Sequence, residues 1–508
     1  MKTFTSTVLF RSLSISMFLS AILLTSCSTS AQQTATTTTS APEAVMPATT
    51  TAAPMAASSA PPINRNPEVE AMLWNQHASM NTSINSSNVG NMQMAWKYDT
   101  PNPVSHTPLV DGTGVYFGDW GGMVYKLDRT GKLLWKKEVE QPKTMWPWHG
   151  FAGTGTLGDG KLYEASVEGN AFGIDPATGN VLWKTKFVDD PEAGDVGTLL
   201  YHDGLVYIGV QSVEEPMTHM KKDFKPDFRG QVVALRASDG SIAWRRELVQ
   251  APQNGVPMWS SFALDPDLNM LYFTTGNNYT GESSKMSDAI VAVDAKTGEV
   301  KWFDQVTSHD VWTKADQNGP DYDFAGGAQL FVANVNGQPT RLVGAGQKSG
   351  TYLVYNAVTG EKVWNTNIGY GGVHGGMHGD ASIGKEMVFA WSNNGYAISM
   401  PPGKHPITVK GVNAQTGAPQ WVINHAQPAS VTSGYLSNDV YLVGSLDGTI
   451  QAYRATDGKQ LMQTKVPAPI LSQLRVEGNT LFLSGGVTAM LKDWADKGDN
   501  GVYAYSVK

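Results

Sequence analysis

Cysteine is almost missing: Cys27 is the single one in 508 residues. No intrachain disulfide can form, and no Cys-x-x-Cys-His segment exists to attach a c-type haem. Positive charge is also short, with 37 Lys and Arg against 45 Asp and Glu and a net charge of −8. That balance excludes the broad basic field that nucleic acid or anionic lipid would need. Helical periodicity is scarce. The apolar run from Leu13 to Leu24 is too short for an ordinary transmembrane helix. What the chain holds in quantity is 53 Gly and 27 Pro, with 15 Trp, the composition of a turn-rich all-β protein.

The tryptophans are periodic. Trp135, Trp183, Trp244, Trp302, Trp364 and Trp421 follow one another at steps of 48, 61, 58, 62 and 57 residues. Each follows a short apolar strand and a tight Gly turn, as in Ala292-Val293-Asp294-Ala295-Lys296-Thr297-Gly298 before Trp302. A seventh copy ends in Met462 instead. Alternation such as Ile290-Val291-Ala292-Val293 reads as strand. Asp-x-x-Thr-Gly is hairpin chemistry, because Gly supplies positive φ and the Asp side chain bonds nearby backbone. A repeat of this length is one supersecondary unit that cannot bury its own core, and four short strands per unit is a propeller blade. An eighth blade is expected from the two ends of the chain. Val502-Tyr503-Ala504-Tyr505 supplies the strand before the turn and Met94-Ala95-Trp96 the strand after it. The alternative is a seven-bladed ring with a loose tail.

The N-terminus reads as an address. Lys2 and Arg11 precede the apolar run, and Leu24-Thr25-Ser26-Cys27 matches a lipobox. Residues 1–26 are therefore expected to be a lipoprotein signal peptide, with lipid on Cys27. Residues 27–65 are expected to be a disordered Thr/Ala/Ser/Pro tether, since they carry too little apolar material for a core. Residues 66–508 make the propeller. Ser28 rather than Asp follows the cysteine, which points to the periplasm and the outer membrane of a Gram-negative bacterium.

Four segments interrupt the repeat with polar residues. They are Gly209 to Glu215, leading to Phe228-Arg229-Gly230; Met258-Trp259-Ser260-Ser261; Thr274-Thr275-Gly276-Asn277-Asn278-Tyr279-Thr280, followed by Ser287-Asp288-Ala289-Ile290; and Gly344-Ala345-Gly346-Gln347-Lys348-Ser349-Gly350. In this order, and with the Trp repeat, they resemble the quinoprotein alcohol dehydrogenases, which use pyrroloquinoline quinone (PQQ). The polyvinyl alcohol dehydrogenase branch is similar also in Gly319-Pro320-Asp321-Tyr322-Asp323-Phe324. The resemblance covers residues from about 74 to 508.

The resemblance implies a division of labour. Glu214 and Asn277 fall on the family's calcium ligands, and hard oxygen ligands suit Ca²⁺. Trp259 falls on the Trp that stacks against the flat cofactor, and Lys348 on the cation beside the quinone oxygens. Arg229 is a further expected cofactor contact. Asp288 is the expected general base and a third metal ligand, with Glu282 in reserve. The implied reaction oxidises a secondary or polymeric alcohol to a carbonyl. Electrons pass to a separate acceptor such as a cytochrome c or a quinone.

Two departures stand out. The family's adjacent cysteines are absent before Phe228-Arg229-Gly230, and Met145-Trp146-Pro147-Trp148-His149 stands where relatives often carry an Arg. Trp146, Trp148, His149 and His378 could line a substrate mouth or be ordinary loop residues. Asp310, Asp321 and Asp323 are expected to form a structural hydrogen-bond network outside the site. The rival reading is a non-enzymatic outer-membrane lipoprotein scaffold of the barrel-assembly type, which shares the propeller and the anchor and needs no cofactor. A decayed enzyme that binds without turnover is a third reading.

Overall fold

The computed structural model describes residues 66–142, 149–373, 375–394, 407–425, 430–488 and 498–508. Cys27 and both N-terminal segments lie outside the described residues, as do Trp146 and Trp148. The described chain forms eight antiparallel sheets in succession, the blades of a propeller. The first seven occupy residues 109–138, 156–186, 200–247, 263–305, 328–367, 382–425 and 435–465.

The eighth blade joins the two ends. Gln93–Asp99 pairs antiparallel with Gly501–Ser506, setting Met94 opposite Tyr505 and Trp96 opposite Ala504. Arg475–Glu477 and Thr480–Gly485 complete it. The closed eight-bladed ring is the one expected from the terminal strands.

The repeated Trp is the joint between blades. The Nε1 of Trp244 donates to Ala295 O of the next blade at 3.0 Å, and that of Trp302 donates to Ala357 O at 3.0 Å. Each ring lies against the turn Gly of the following copy. A Cβ on Gly298, where φ is +68°, would stand 2.6 Å from Trp244 Cε3. The turn needs glycine twice, for its left-handed backbone and for the indole above it. The turn aspartate does the expected work: Asp294 Oδ1 accepts the N–H groups of Lys296 and Thr297 at 3.0 Å. Met462 can make no such hydrogen bond. At that joint Met462 packs instead in a buried cluster with Ile84, Val89, Met92 and Val476, so the N-terminal segment fills the seam.

The innermost segments run parallel to one another around the axis and form a polar belt, one position per blade. The N–H of Thr107 donates to Thr154 Oγ1 at 3.0 Å, and Thr154, Thr198 and Ser261 are linked by parallel bridges. Gly327 follows, its N–H donating to Asp380 Oδ1 at 2.6 Å. The N–H of Asp380 donates to Ser433 Oγ at 2.8 Å, and that of Gln473 closes the circle on Thr107 Oγ1 at 3.2 Å. Gln473 Nε2 also reaches Ser261 Oγ at 3.3 Å, from the eighth blade across the axis to the fourth. Asp380 is buried and is further held by Asn75 Nδ2 at 3.0 Å and His77 Nε2 at 2.8 Å. Through these contacts the segment after the short helix Pro67–Leu73 is strapped over the fifth to seventh blades.

Replacing Gly298 with Ala should destabilise the fold at one joint. The positive φ alone costs roughly 1–2 kcal/mol for an L side chain, and the Cβ also pushes on Trp244. Thermal unfolding should show a lowered Tm for Gly298→Ala, whereas Gly204→Ala, whose Cβ would meet nothing within 4 Å, should bear only the backbone cost.

Candidate active site

The axis holds a cavity of about 160 Å³ lined by belt residues, by His378 and by Trp259. Trp259 lies two residues before Ser261 on the same inner segment, and both line the cavity. The backbone leading to it is unusual. Val256 has φ +57°, a conformation that is an outlier for a β-branched residue. It is held there by its N–H to Asn277 O at 2.8 Å and by Gly276 N–H to Pro257 O at 2.8 Å. The Asn277 strand end and the Trp259 segment are thereby locked together.

Lys348 Nζ sits 5.6 Å from the Trp259 ring centre. It is buried and bridges two carboxylates, Asp321 Oδ1 at 3.1 Å and Asp323 Oδ1 at 2.5 Å. Burial alone would lower its pKa, but Asp321 and Asp323 outweigh it and hold the ammonium charged well above its ordinary range. The backbone joins in, because Lys348 N–H donates to Asp323 O at 3.1 Å. Asp310 organises this loop: its carboxylate accepts the N–H of Tyr322 at 2.6 Å and of Asp321 at 3.2 Å. The expectation for Asp310 as a loop-holding group therefore stands. Asp321 and Asp323 differ from it, since they face the lysine at the centre.

Asp288 precedes the strand Ala289–Asp294 with φ +51°. It is fully buried, and neither carboxylate oxygen has a hydrogen-bond partner. Burial, then the nearby charges of Asp310 and Asp323, push its pKa well above the usual carboxylate range. Its N–H donates to Gly276 O at 3.0 Å, which ties it to Asn277. The Asn277 Nδ2 donates to Asn278 O at 2.7 Å and Trp312 O at 2.8 Å. With the nitrogen committed to two carbonyls, the amide oxygen is turned the other way and is the atom able to meet a cation.

The acidic pair at the start of the helix Glu214–Met220 splits. Glu214 is buried and its carboxylate accepts the N–H of Phe228 at 2.8 Å and Asp227 at 3.1 Å. One oxygen from each of Asp190, Glu214 and Asp227 lies within 4.8 Å of the others. Glu215 feels the charges of Asp321, Lys314 and Lys348 instead. Its Oε1 is buried without a partner, and burial raises its pKa to about 7. Successive helical residues project about 100° apart, so the family spacing that marks Glu214 in the sequence does not by itself say which of the two carboxylates turns to the lysine.

Two expected residues stand apart from this cluster. Arg229 is exposed and lines an outer groove with Asp189, Asp190 and Arg245, away from the axial cavity. Glu282 is exposed in a loop beside His309 and Asn318. His149 contacts Trp120, edge to face at 6.1 Å and through its Nδ1 to the Trp120 carbonyl. His378 lines the axial cavity.

The family model described as "Glucose/ethanol/alcohol dehydrogenase, beta-propeller domain" (PQQ) matches residues 249–368. That stretch carries Trp259, Asn277, Asp288 and Lys348 together with Asp310, Asp321 and Asp323. The chain is 25% identical over 418 residues to a polyvinylalcohol dehydrogenase of Sphingopyxis sp. (strain 113P3), covering 74% of this chain and 63% of the relative. It is 24% identical over 434 residues to another from Pseudomonas sp, covering 78% and 67%. Over these stretches the chain is similar to the PQQ-dependent alcohol dehydrogenases.

Other parts of this quinoprotein-type propeller match a second model, "Outer membrane protein assembly factor BamB", at residues 93–214 and 405–508. These flank the polar cluster and carry mainly the shared Trp repeat. The fold agrees with the solved quinohemoprotein alcohol dehydrogenase ADHIIG from Pseudomonas putida HK5, with a TM-score of 0.71 at 19% identity, covering 85% of this chain and 78% of that one. The chain spans about two thirds of the length of the two polyvinylalcohol dehydrogenases.

The raised carboxyl pKa values set a pH dependence with a definite sign. Asp288, Asp323 and Glu215 bind protons more tightly when folded than when unfolded, and burial brings Asp323 and Glu215 each to about 7. Their contribution is complete below the unfolded value near 4 and is lost as pH rises through about 7. The metal-free protein should therefore show a Tm that falls between pH 5 and pH 8. Added Ca²⁺ should recover more at pH 8 than at pH 5. Asp288→Asn should reduce both effects.

Proposed function

We propose that this chain is a PQQ- and calcium-dependent dehydrogenase that oxidises a secondary or polymeric alcohol to a carbonyl and passes electrons to a separate acceptor. The observation that carries the reading is Asp288, a fully buried carboxylate with both oxygens unpartnered, in a cluster with Lys348 and further acids. Unpaired buried carboxylate oxygens are costly unless a cation or a proton meets them.

The residues present fit both groups. Asp288, the Asn277 oxygen and a carboxylate from the Glu214–Glu215 pair supply hard oxygen donors of the kind Ca²⁺ takes. The Trp259 indole, at the axial cavity, offers a flat apolar face to a planar ring system. PQQ supplies a two-electron acceptor when bound, and the metal polarises it.

The chain's own groups do the rest. Asp288 accepts the hydroxyl proton of the alcohol at a carboxylate oxygen, and its burial near Asp310 and Asp323 raises its basicity for that task. Lys348 places a permanent positive charge where negative charge grows during reduction. The dry surroundings of both strengthen each electrostatic contact. The lipobox and its cysteine support export to the periplasm with a lipid anchor, and a freely diffusing cytochrome c or a membrane quinone would serve as acceptor.

Purified apoprotein is to be loaded with PQQ and Ca²⁺, and dye reduction followed with primary, secondary and polymeric alcohols. We expect turnover with secondary or polymeric alcohols and a higher Tm for the loaded protein. Asp288→Asn should lower kcat by about 10²–10⁴-fold, the usual contribution of a general base, while PQQ binding persists. No change in Tm at saturating PQQ and no dye reduction would refute the reading and favour the scaffold.

A further inference from the structure

We propose that Asp321 and Asp323 are positioning residues that grip the Lys348 ammonium from two sides and so hold it beside the Trp259 face. The inference rests on the PQQ reading for what occupies that face, and on geometry alone for the grip.

A lysine is a compact charge on a flexible four-carbon stem, and it lacks the rigid fork by which an arginine orients itself. An ammonium has three donors. In this structure one donates to Asp321 Oδ1 at 3.1 Å, and Asp323 Oδ1 adds an ion-pair contact at 2.5 Å that lies outside hydrogen-bond geometry. Donor capacity remains for a group lying against the Trp259 ring, whose centre is 5.6 Å from Nζ. The two acids are themselves held from behind. Asp310 fastens the backbone of Asp321 and Tyr322, and the Asp323 carbonyl accepts Lys348 N–H at 3.1 Å. Asp323 Oδ2 also lies where a Cβ on Gly276 would approach it to 3.3 Å, against the turn that carries Asn277. Asp321 has φ +56°, a backbone that is retained when the surroundings over-determine it. All three side chains are buried, so solvent cannot substitute for either carboxylate.

The grip has two consequences. The lysine remains a charge donor and does not become a proton donor, because two carboxylates hold its proton. The pair also ties the lysine to the same loop that faces Asp288, so the base and the cation move as one unit.

Two measurements test this in the full-length protein. In apoprotein at pH 8, amine acylation at Lys348, followed by peptide mass spectrometry, should be at least tenfold faster in Asp323→Asn than in the wild type. Asp323→Glu should return most of the protection, and the variants' Tm values identify any that are simply unfolded. In the protein loaded with PQQ and Ca²⁺, Asp323→Asn should lower kcat at least tenfold, leave KM for the alcohol within about twofold, and shift the absorption band of the bound cofactor. Equal labelling rates in folded wild type and Asp323→Asn would overturn the grip. So would an unchanged kcat and cofactor band in a folded variant that is less stable, which would leave the pair with a loop-holding role only. A labelling difference in a protein that binds no PQQ would leave the grip standing and remove the PQQ reading.

Discussion

Everything that follows in this molecule depends on the pairing of residues 93–99 with residues 501–506. A blade contacts its neighbours and little else, so an open row of blades would expose the apolar faces of the two end sheets. Carrying the strand from the start of the propeller into the last blade covers both faces at once, because the eighth sheet packs on the first and on the seventh. The entropy of bringing such distant ends together rises only slowly with the length of the loop, so closure is inexpensive relative to the joint it completes. It also makes the eighth blade a neighbour of the first. The hydrogen bond from Gln473 to Thr107 exists for that reason, and with it the polar belt becomes a circle. A closed circle has an axis, and the axis is where Trp259 and the cavity lie.

The centre then takes on a cost that the joints avoid. Asp321, Asp323 and Glu215 act on the Lys348 ammonium, and Asp288 lies buried near Asp310 and Asp323. Such a group of acids is expensive in a low-dielectric interior. Perturbed carboxyls gathered beside a strained backbone are characteristic of functional sites. Val256, Asp288 and Asp321 all take positive φ within this one region, and the Trp–Gly joints around it are regular enough to hold it there.

The legible and illegible parts of the site divide along physical lines. Trp259, Asn277, Asp288 and Lys348 stand at the ends of strands or in tight turns of the repeat, so their spacing survives in the sequence. Asp321 and Asp323 lie in a long insertion. Their role depends on how Asp310 folds that insertion back over Lys348, a long-range contact with no local signal except the alternation of two acids about Tyr322. Glu214 and Glu215 are neighbours on one short helix, and the direction of each carboxylate follows from where Asp227 and Phe228 return to meet Glu214. Arg229 shares a segment with that helix yet faces outward.

By itself the sequence determined the seven written copies of the repeat, their order and the turn chemistry, and it pointed to the terminal strand pair that closes the ring. Those are local periodicities, and each is set by contacts within a blade or between adjacent copies. Only the tertiary structure decided which polar side chains meet. The charges at the centre come from different blades and from insertions between them. Their encounter is governed by ring closure and by backbone hydrogen bonds that no single segment contains.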